Sequence, residues 1–375
     1  MNGFTNFWGV ASVLLPLYVR VDGVNDVRIC RNYLFIFIVF LSISLFKNGK
    51  LKLQDYLPWV GLLVLAWFNI DYLYQPATLE QFATLGAFCI AVPHLVSNYE
   101  NMKINLFLNY FRASVLIQSV LVFTNMFGIN LYNLDVPVPR ALGSFGQETL
   151  TAAFIAVLLP TFFNKKWAPL LPIPLMAIFF TGSAMSAISV VAASVFFVAF
   201  SCLKLKKALL SLLGFYLMTF AFVTGFIGVD GYFNDNERFK VWETIYGVIK
   251  DRGFWHILFG SGVGSFWHHF SDYCTDCNQR FLYAHSEPLQ LVYEFGLAGV
   301  IMIGLVLKRI FYLPSTIPNK GIILAMMIAA FSNALGNFTF HIVPISMVIL
   351  IGYTYLIGYK EKHYGYYINQ DGRIS

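Results

Sequence analysis

Apolar stretches of about 15–22 residues follow one another along the whole of this 375-residue chain, and they leave few architectures open. A helix needs roughly 20 apolar residues to cross about 30 Å of hydrocarbon. Backbone placed in lipid must satisfy its own hydrogen bonds, which admits only helices and closed barrels; these stretches are too long and too uniformly apolar for barrel strands. Composition closes the other route. Charged residues make up 12% of the chain and hydrophobic ones 58%, against roughly 25% charged in a soluble domain, so there is no material for a polar skin. The expectation is an all-α polytopic membrane protein. Its spans fall near residues 4–19, 31–46, 53–70, 79–97, 104–127, 149–163, 168–183, 184–202, 208–228, 285–307, 321–339 and 342–359.

Met1 to Val19 has no positive charge at its start, and Arg20 follows the apolar run, so the run reads as a first span with Pro16 near its end and not as a cleavable signal. Thr181-Gly182-Ser183 reads either as a tight turn between two helices or as a break within one longer helix.

Basic residues orient the set. Alternate connections on one side hold Lys47, Lys50, Lys52, Lys103, Lys165, Lys166, Lys204, Lys206 and Lys207, then Lys308, Arg309, Lys320, Lys360, Lys362 and Arg373. The positive-inside rule places that side in the cytoplasm with both termini, and turns the 229–284 segment outward. Arg20, Arg28 and Arg31 count against the assignment, although Asp22 and Asp26 lie among them. The net charge of +6 is then topological and calls for no nucleic-acid partner. With no repeat of fixed period and no low-complexity linker, residues 1–375 form one membrane domain carrying the 229–284 loop.

Within that loop, Asn234-Asp235-Asn236-Glu237 reads as a helix start. Phe239, Trp242, Tyr246 and Ile249 then share one face at helical spacing. Such a helix either lies on the outer membrane surface or packs against the top of the bundle. Gly260-Ser261-Gly262-Val263-Gly264 lacks the strand–helix surroundings of a dinucleotide fingerprint, so close chain packing is the expectation.

Cys30, Cys89 and Cys202 are scattered and read as packing residues, whereas Cys274 and Cys277 form a C-x-x-C in the outward loop. A disulfide is the first reading of that pair in an oxidising compartment. A zinc site with His268 or His269, and a redox pair, are the others. Two outward arginines bear on chemistry. Arg140 precedes the sixth span and Arg238 heads the amphipathic helix. A guanidinium fork matches phosphate oxygens with paired, charge-assisted hydrogen bonds, although a surface salt bridge or a snorkelling side chain is the commoner fate of a single arginine. Arg112 lies about 12 Å into the fifth span, either functional or snorkelling toward the cytoplasm. His285 stands where the polar loop meets a span. Imidazole is the side chain best suited to moving protons near neutral pH, yet an isolated interfacial histidine is usually just solvated.

Its neighbourhood changes that. His285-Ser286-x-x-Leu289-Gln290-x-x-x-Glu294-x-Gly296-Leu297-x-Gly299 resembles the signature region of the O-antigen ligase and polymerase family. Arg140-x-x-Gly143-Ser144-Phe145, Thr181-Gly182-Ser183, Arg238 with Trp242, and Gly260-x-Gly262-x-Gly264-x-Phe266 occur in the family's order, so the resemblance covers roughly residues 137–310. It implies a twelve-span glycosyltransferase of the bacterial inner membrane, with its site facing the periplasm. The donor it implies is an undecaprenyl-diphosphate-linked glycan, and no metal or cofactor is called for. His285 matches the family's essential histidine, Arg238 and Arg140 its functional arginines, and Glu294 with Gly296 the supporting motif. Two positions depart: Ala184 stands where arginine commonly follows Thr-Gly-Ser, and Ser286 where asparagine is common. If that arginine normally grips diphosphate, another residue must substitute or the activity is altered.

The implied chemistry is coherent. A diphosphate-linked glycan is already activated, leaving an acceptor hydroxyl to deprotonate, worth about 10²–10⁴-fold from His285 as general base. The departing diphosphate is left for Arg238 and Arg140 to neutralise, usually the larger effect. Direct displacement would invert the anomeric carbon. The acceptor is another lipid-linked glycan for a polymerase, the preferred reading, or a lipid A core for a ligase. From another class, a glycan-lipid flippase would show repeat symmetry and charge in mid-membrane, and a non-catalytic assembly partner is the third reading, given Ala184.

Overall fold

In a computed structural model, residues 3–18, 27–46, 53–68, 76–129, 131, 140–203, 205–222, 238–251, 253–266, 270 and 283–364 are described. Cys274, Cys277, His268, His269, Arg20 and the 234–237 helix start lie outside these residues, as do the side chains of Cys30, Arg28, Arg238 and Phe239. Within the described residues each apolar stretch carries a helix: α1 (Gly3–Leu17), α2 (Val27–Leu45), α3 (Leu53–Phe68), α4 (Pro76–Ser97), α5 (Ile104–Met126), α6 (Glu148–Leu158), α7 (Pro172–Thr181), α8 (Ala184–Cys202) and α9 (Leu205–Phe222). After the loop helices α10 (Arg238–Asp251) and α11 (Phe254–Phe259) come α12 (Glu287–Phe311), α13 (Lys320–Ala334) and α14 (Val343–Tyr364). Among the described residues there is no strand, so the chain is all-α.

Among the described residues, five stretches are long and apolar enough to cross a membrane: Thr78–Ser97, Ile104–Met126, Ala184–Cys202, Glu287–Ile310 and Val343–His363. Other apolar helices run to 10–17 residues, shortened where the sequence breaks them. Thus α6 passes into a tighter 3₁₀ turn at Leu159–Phe162, which contains Pro160. Large apolar side chains such as Phe40, Trp67, Phe179, Val198 and Leu217 face outward, as a lipid-facing surface requires. The core gathers on α14. It is apolar all round, with Val343, Ile345, Met347, Val348, Ile351 and Leu356 buried against α4, α13 and their neighbours.

Side-chain bonds sort the connections by end. At one end Thr5 accepts from Lys103 N at 3.0 Å and donates to Asn101 O at 2.6 Å, Asn319 meets Asn105 at 2.9 Å, and Lys362 pairs with Glu100 at 2.7 Å. The start of α1 and the end of α14 therefore share one end of the bundle. At the end of α1, Arg31 is buried, donating to Tyr18 O, Pro16 O and Ser144 O at 2.8–3.0 Å and lying 4.4 Å over the Phe145 ring. This residue counted against the charge assignment, but as an internal brace it carries no topological weight. Arg112 is buried too, held by Thr161 O at 2.8 Å and Asn109 at 2.7 Å, with Trp167 4.9 Å below; it packs rather than snorkels.

Two features left open by the sequence are settled. Thr181-Gly182-Ser183 is a tight turn: Gly182 is left-handed (φ 64°), and Ser183 caps α8 by accepting from Ser186 N. Helix α10 packs on protein, with a different stripe inward from the one expected. Val241, Ile245 and Val248 are buried against Phe266, Phe270, Ala284 and Tyr293, with Trp242 and Ile249 at the margin. Tyr246 is 69% exposed. The two stripes adjoin on the helix, and it is the β-branched one that meets the aromatic surface.

Candidate functional site

Helix α12 is broken. Gly296 has φ 60° and ψ −162°, so the carbonyls of Tyr293 and Glu294 lose the N–H groups four residues on. The glycine-rich turn replaces them: Ser261 N donates to Tyr293 O at 2.9 Å and Gly262 N to Glu294 O at 2.8 Å. This approach admits no side chains. A Cβ on Gly260 would lie 2.3 Å from Glu294 C, and one on Gly296 would lie 2.5 Å from Gly260 N. The close packing expected of the 260–264 turn is therefore present, and its partner is the break. Gly264 N also bonds the Glu294 side chain, which is buried at 3% exposure.

His285 lies just before α12, with φ 51°. A non-glycine residue in that left-handed region costs about 1–2 kcal/mol and persists only where its surroundings over-determine it. Here they do. On one side Ala284 N donates to Gln290 Oε1 at 3.1 Å and Ala284 O accepts from Trp242 Nε1 at 2.8 Å. On the other, Ser286 O accepts from Gln290 N at 3.0 Å. The His285 ring stands edge-on to Phe338, centroids 5.1 Å apart, and is partly exposed.

Residues distant in sequence complete the cluster. Glu287, in the first turn of α12, accepts from Phe340 N at 2.7 Å and from His341 N at 3.2 Å, and its carboxylate meets His341 Nδ1 at 3.0 Å. The other ring nitrogen, Nε2, meets Gln290 Nε2 at 3.2 Å, and Gln290 Nε2 also donates to Glu294 Oε1 at 3.2 Å. Tyr283 stacks on Phe338 and adjoins His341, centroids 4.7 and 4.8 Å away. A second polar chain joins the Thr-Gly-Ser turn to the same region. Asn333 Nδ2 donates to Ser186 Oγ at 3.1 Å, and Asn333 Oδ1 accepts from Asn337 and from Thr339, each at 3.0 Å.

The residues singled out from sequence thus part company. His285, Glu294 and Gly296 come together with the glycine turn, and Trp242 ties α10 to the residue before His285. Arg238 begins that helix one turn before Trp242, about 6 Å along the axis. Arg140 is half-exposed and bonded to Glu148 at 2.7 Å. Gly143-Ser144-Phe145 is held by Gln118, whose Nε2 donates to Ser144 Oγ at 2.7 Å. Ala184 is exposed at the start of α8. His341, Glu287 and Asn333 escaped sequence reasoning. The one signal, for Asn333 and His341 alone, was a set of polar residues, Asn333, Asn337, Thr339 and His341, running from the last part of the 321–339 stretch to the edge of the next.

The fold and the cluster define an all-helical protein with several membrane-crossing candidates and a polar site built round a broken helix. Comparison of the sequence with protein-family models and with curated proteins found no match.

Proposed function

We propose that the chain is a membrane glycosyltransferase of the O-antigen ligase and polymerase kind. It moves a glycan from undecaprenyl diphosphate to an acceptor hydroxyl at the outer face of a bacterial inner membrane. In this reading α1–α9 and α12–α14 are its twelve spans, and the 229–284 segment faces the periplasm. One observation carries the reading: His285, the residue the resemblance makes essential, holds a strained backbone conformation fixed from both sides. Stored strain at a partly exposed imidazole supports a chemical role over a packing one. The gathering of Glu294, Gly296, the glycine turn and the Thr-Gly-Ser turn round one polar cluster supports it further.

The transfer proceeds by direct displacement. The acceptor oxygen loses its proton to His285 and bonds the anomeric carbon, while the bond from that carbon to phosphate breaks and the electron pair leaves with the lipid diphosphate. Arg238 neutralises the developing charge, and Arg140 exchanges its exposed Glu148 partner for phosphate. The anomeric configuration inverts. With Ala184 at the start of α8, the grip falls on these two arginines, and a polymerase is preferred to a ligase.

Purified protein in liposomes, given lipid-linked repeat units alone and then with lipid A core, tests this. Chain growth without the core identifies a polymerase, product only with the core a ligase, and no product in either case removes the enzyme reading. A flippase is the second reading, favoured by the break at Gly296, since discontinuous helices build transporter sites near mid-membrane. Movement of the lipid-linked glycan across the same liposomes without product would establish it.

A further inference from the structure

The hydrogen bonds round Gln290 fix more than its own position. Ala284 N is a backbone donor, so the Gln290 atom facing it at 3.1 Å is the amide oxygen. The Gln290 nitrogen then faces Glu294 Oε1 and His341 Nε2, each at 3.2 Å. A donor aimed at Nε2 requires a lone pair there, so the His341 proton sits on Nδ1, where the Glu287 carboxylate receives it at 3.0 Å. The network holds together only with His341 neutral and in this one tautomer. Glu287 is itself anchored by Phe340 N and His341 N. An unbroken chain of constraint thus runs from Glu287 through His341 and Gln290 to Ala284, the residue before His285.

We infer that His341 is a positioning residue for His285, acting through Gln290, and that its protonation releases His285 from its left-handed conformation. A proton taken from water onto Nε2 sets two donors face to face. Gln290 then either withdraws or turns its amide over, and a turned amide presents its NH₂ group to Ala284 N, again donor to donor. Either way Ala284 N loses its Gln290 partner, and the segment before His285 keeps only the Trp242 bond to Ala284 O of the two that fixed it. Glu287 stabilises the imidazolium, so the protonated state is reached without unfolding the turn. Among the described residues Glu287 and Glu294 from α12 and Tyr283 from the preceding segment face His341, while His285 stands against Phe338 beside it. His341 is 24% exposed, which gives water access. Activity of the proposed transferase should therefore fall on acidification through the state of His341 as well as of His285.

This rests on the proposed transferase reading, and the experiment separates the two. In full-length protein in nanodiscs, His341→Ala is expected to lower turnover about 10–100-fold with little change in donor KM, the cost of a displaced catalytic group. His341→Gln, which keeps an acceptor near the Nε2 position without titrating, should recover at least about tenfold of that loss and make the acid limb between roughly pH 8 and 5 shallower, leaving the part that belongs to His285. Glu287→Gln should move the same limb. An unchanged pH profile in His341→Gln overturns the inference while leaving the transferase standing. If wild-type protein forms no glycan product, imidazole ¹⁵N spectra of the histidine-labelled protein, which has 7 histidines, decide the inference alone. The result expected is a neutral, Nδ1-protonated His341 at pH 7.5 and a moved His285 signal in His341→Ala. An Nε2-protonated His341, or an unmoved His285 signal, overturns it.

Discussion

At φ 51°, His285 gives up about 1–2 kcal/mol that a glycine would keep, while three backbone bonds at Ala284 and Ser286 hold it in place. This makes stability and chemistry separable at one residue. His285→Gly should be more stable than His285→Ala by about 1 kcal/mol, because only glycine enters the left-handed region without strain. Paired thermal unfolding in detergent checks this, and alanine as the more stable variant would show that the residue is unstrained. His285, Glu294 and Gly296 were legible in the sequence because one short segment carries them. His341 was not. It lies 54 residues from Glu287, and its turn, residues 335–342, is disguised by Leu335, Phe338 and Phe340, which extend the neighbouring apolar stretches. A partner supplied by folding leaves no local period to read.

Among the elements, α12 departs from regularity where the site is built. Its break frees two carbonyls, and the 260–264 turn fits them only because glycine stands on both sides of the contact. Gly296→Ala adds left-handed strain and a Cβ 2.5 Å from backbone, so a loss of about 3–4 kcal/mol is expected. Gly182→Ala, also left-handed but with open space beside it, should cost only about 1–2 kcal/mol. Equal losses, read as shifts in unfolding midpoint, would mean that the turn and the break are not in contact. Helix α10 shows the same limit on sequence reading from another side. Its existence followed from spacing, but its buried face was set by Phe266, Phe270 and Tyr293 arriving from elsewhere, and so the stripe Val241, Ile245 and Val248 went inward while Tyr246 stayed out.

For the whole molecule, helix positions were legible because an apolar run long enough to cross a bilayer is hard to read as anything else. The breaks within and between runs depended on single glycines and prolines. The Thr5, Asn101, Asn319 and Lys362 contacts bring the connections that carry Lys103 and Lys320 to one end of the bundle together with Lys362. If charge sets orientation, that end is cytoplasmic. A fluorescent protein fused after residue 364 should then fold and fluoresce, while alkaline phosphatase fused there stays inactive. The opposite pair of results would invert the orientation and turn the His285 cluster inward.

In the proposed transfer His285 takes the acceptor's proton. Single-turnover transfer from a lipid-diphosphate glycan in liposomes, wild type against His285→Ala, tests that most directly when donor binding is measured in the same preparations. The predicted result is equal donor binding with transfer slowed by at least about 10²-fold. Transfer at near wild-type rate in His285→Ala would contradict the account.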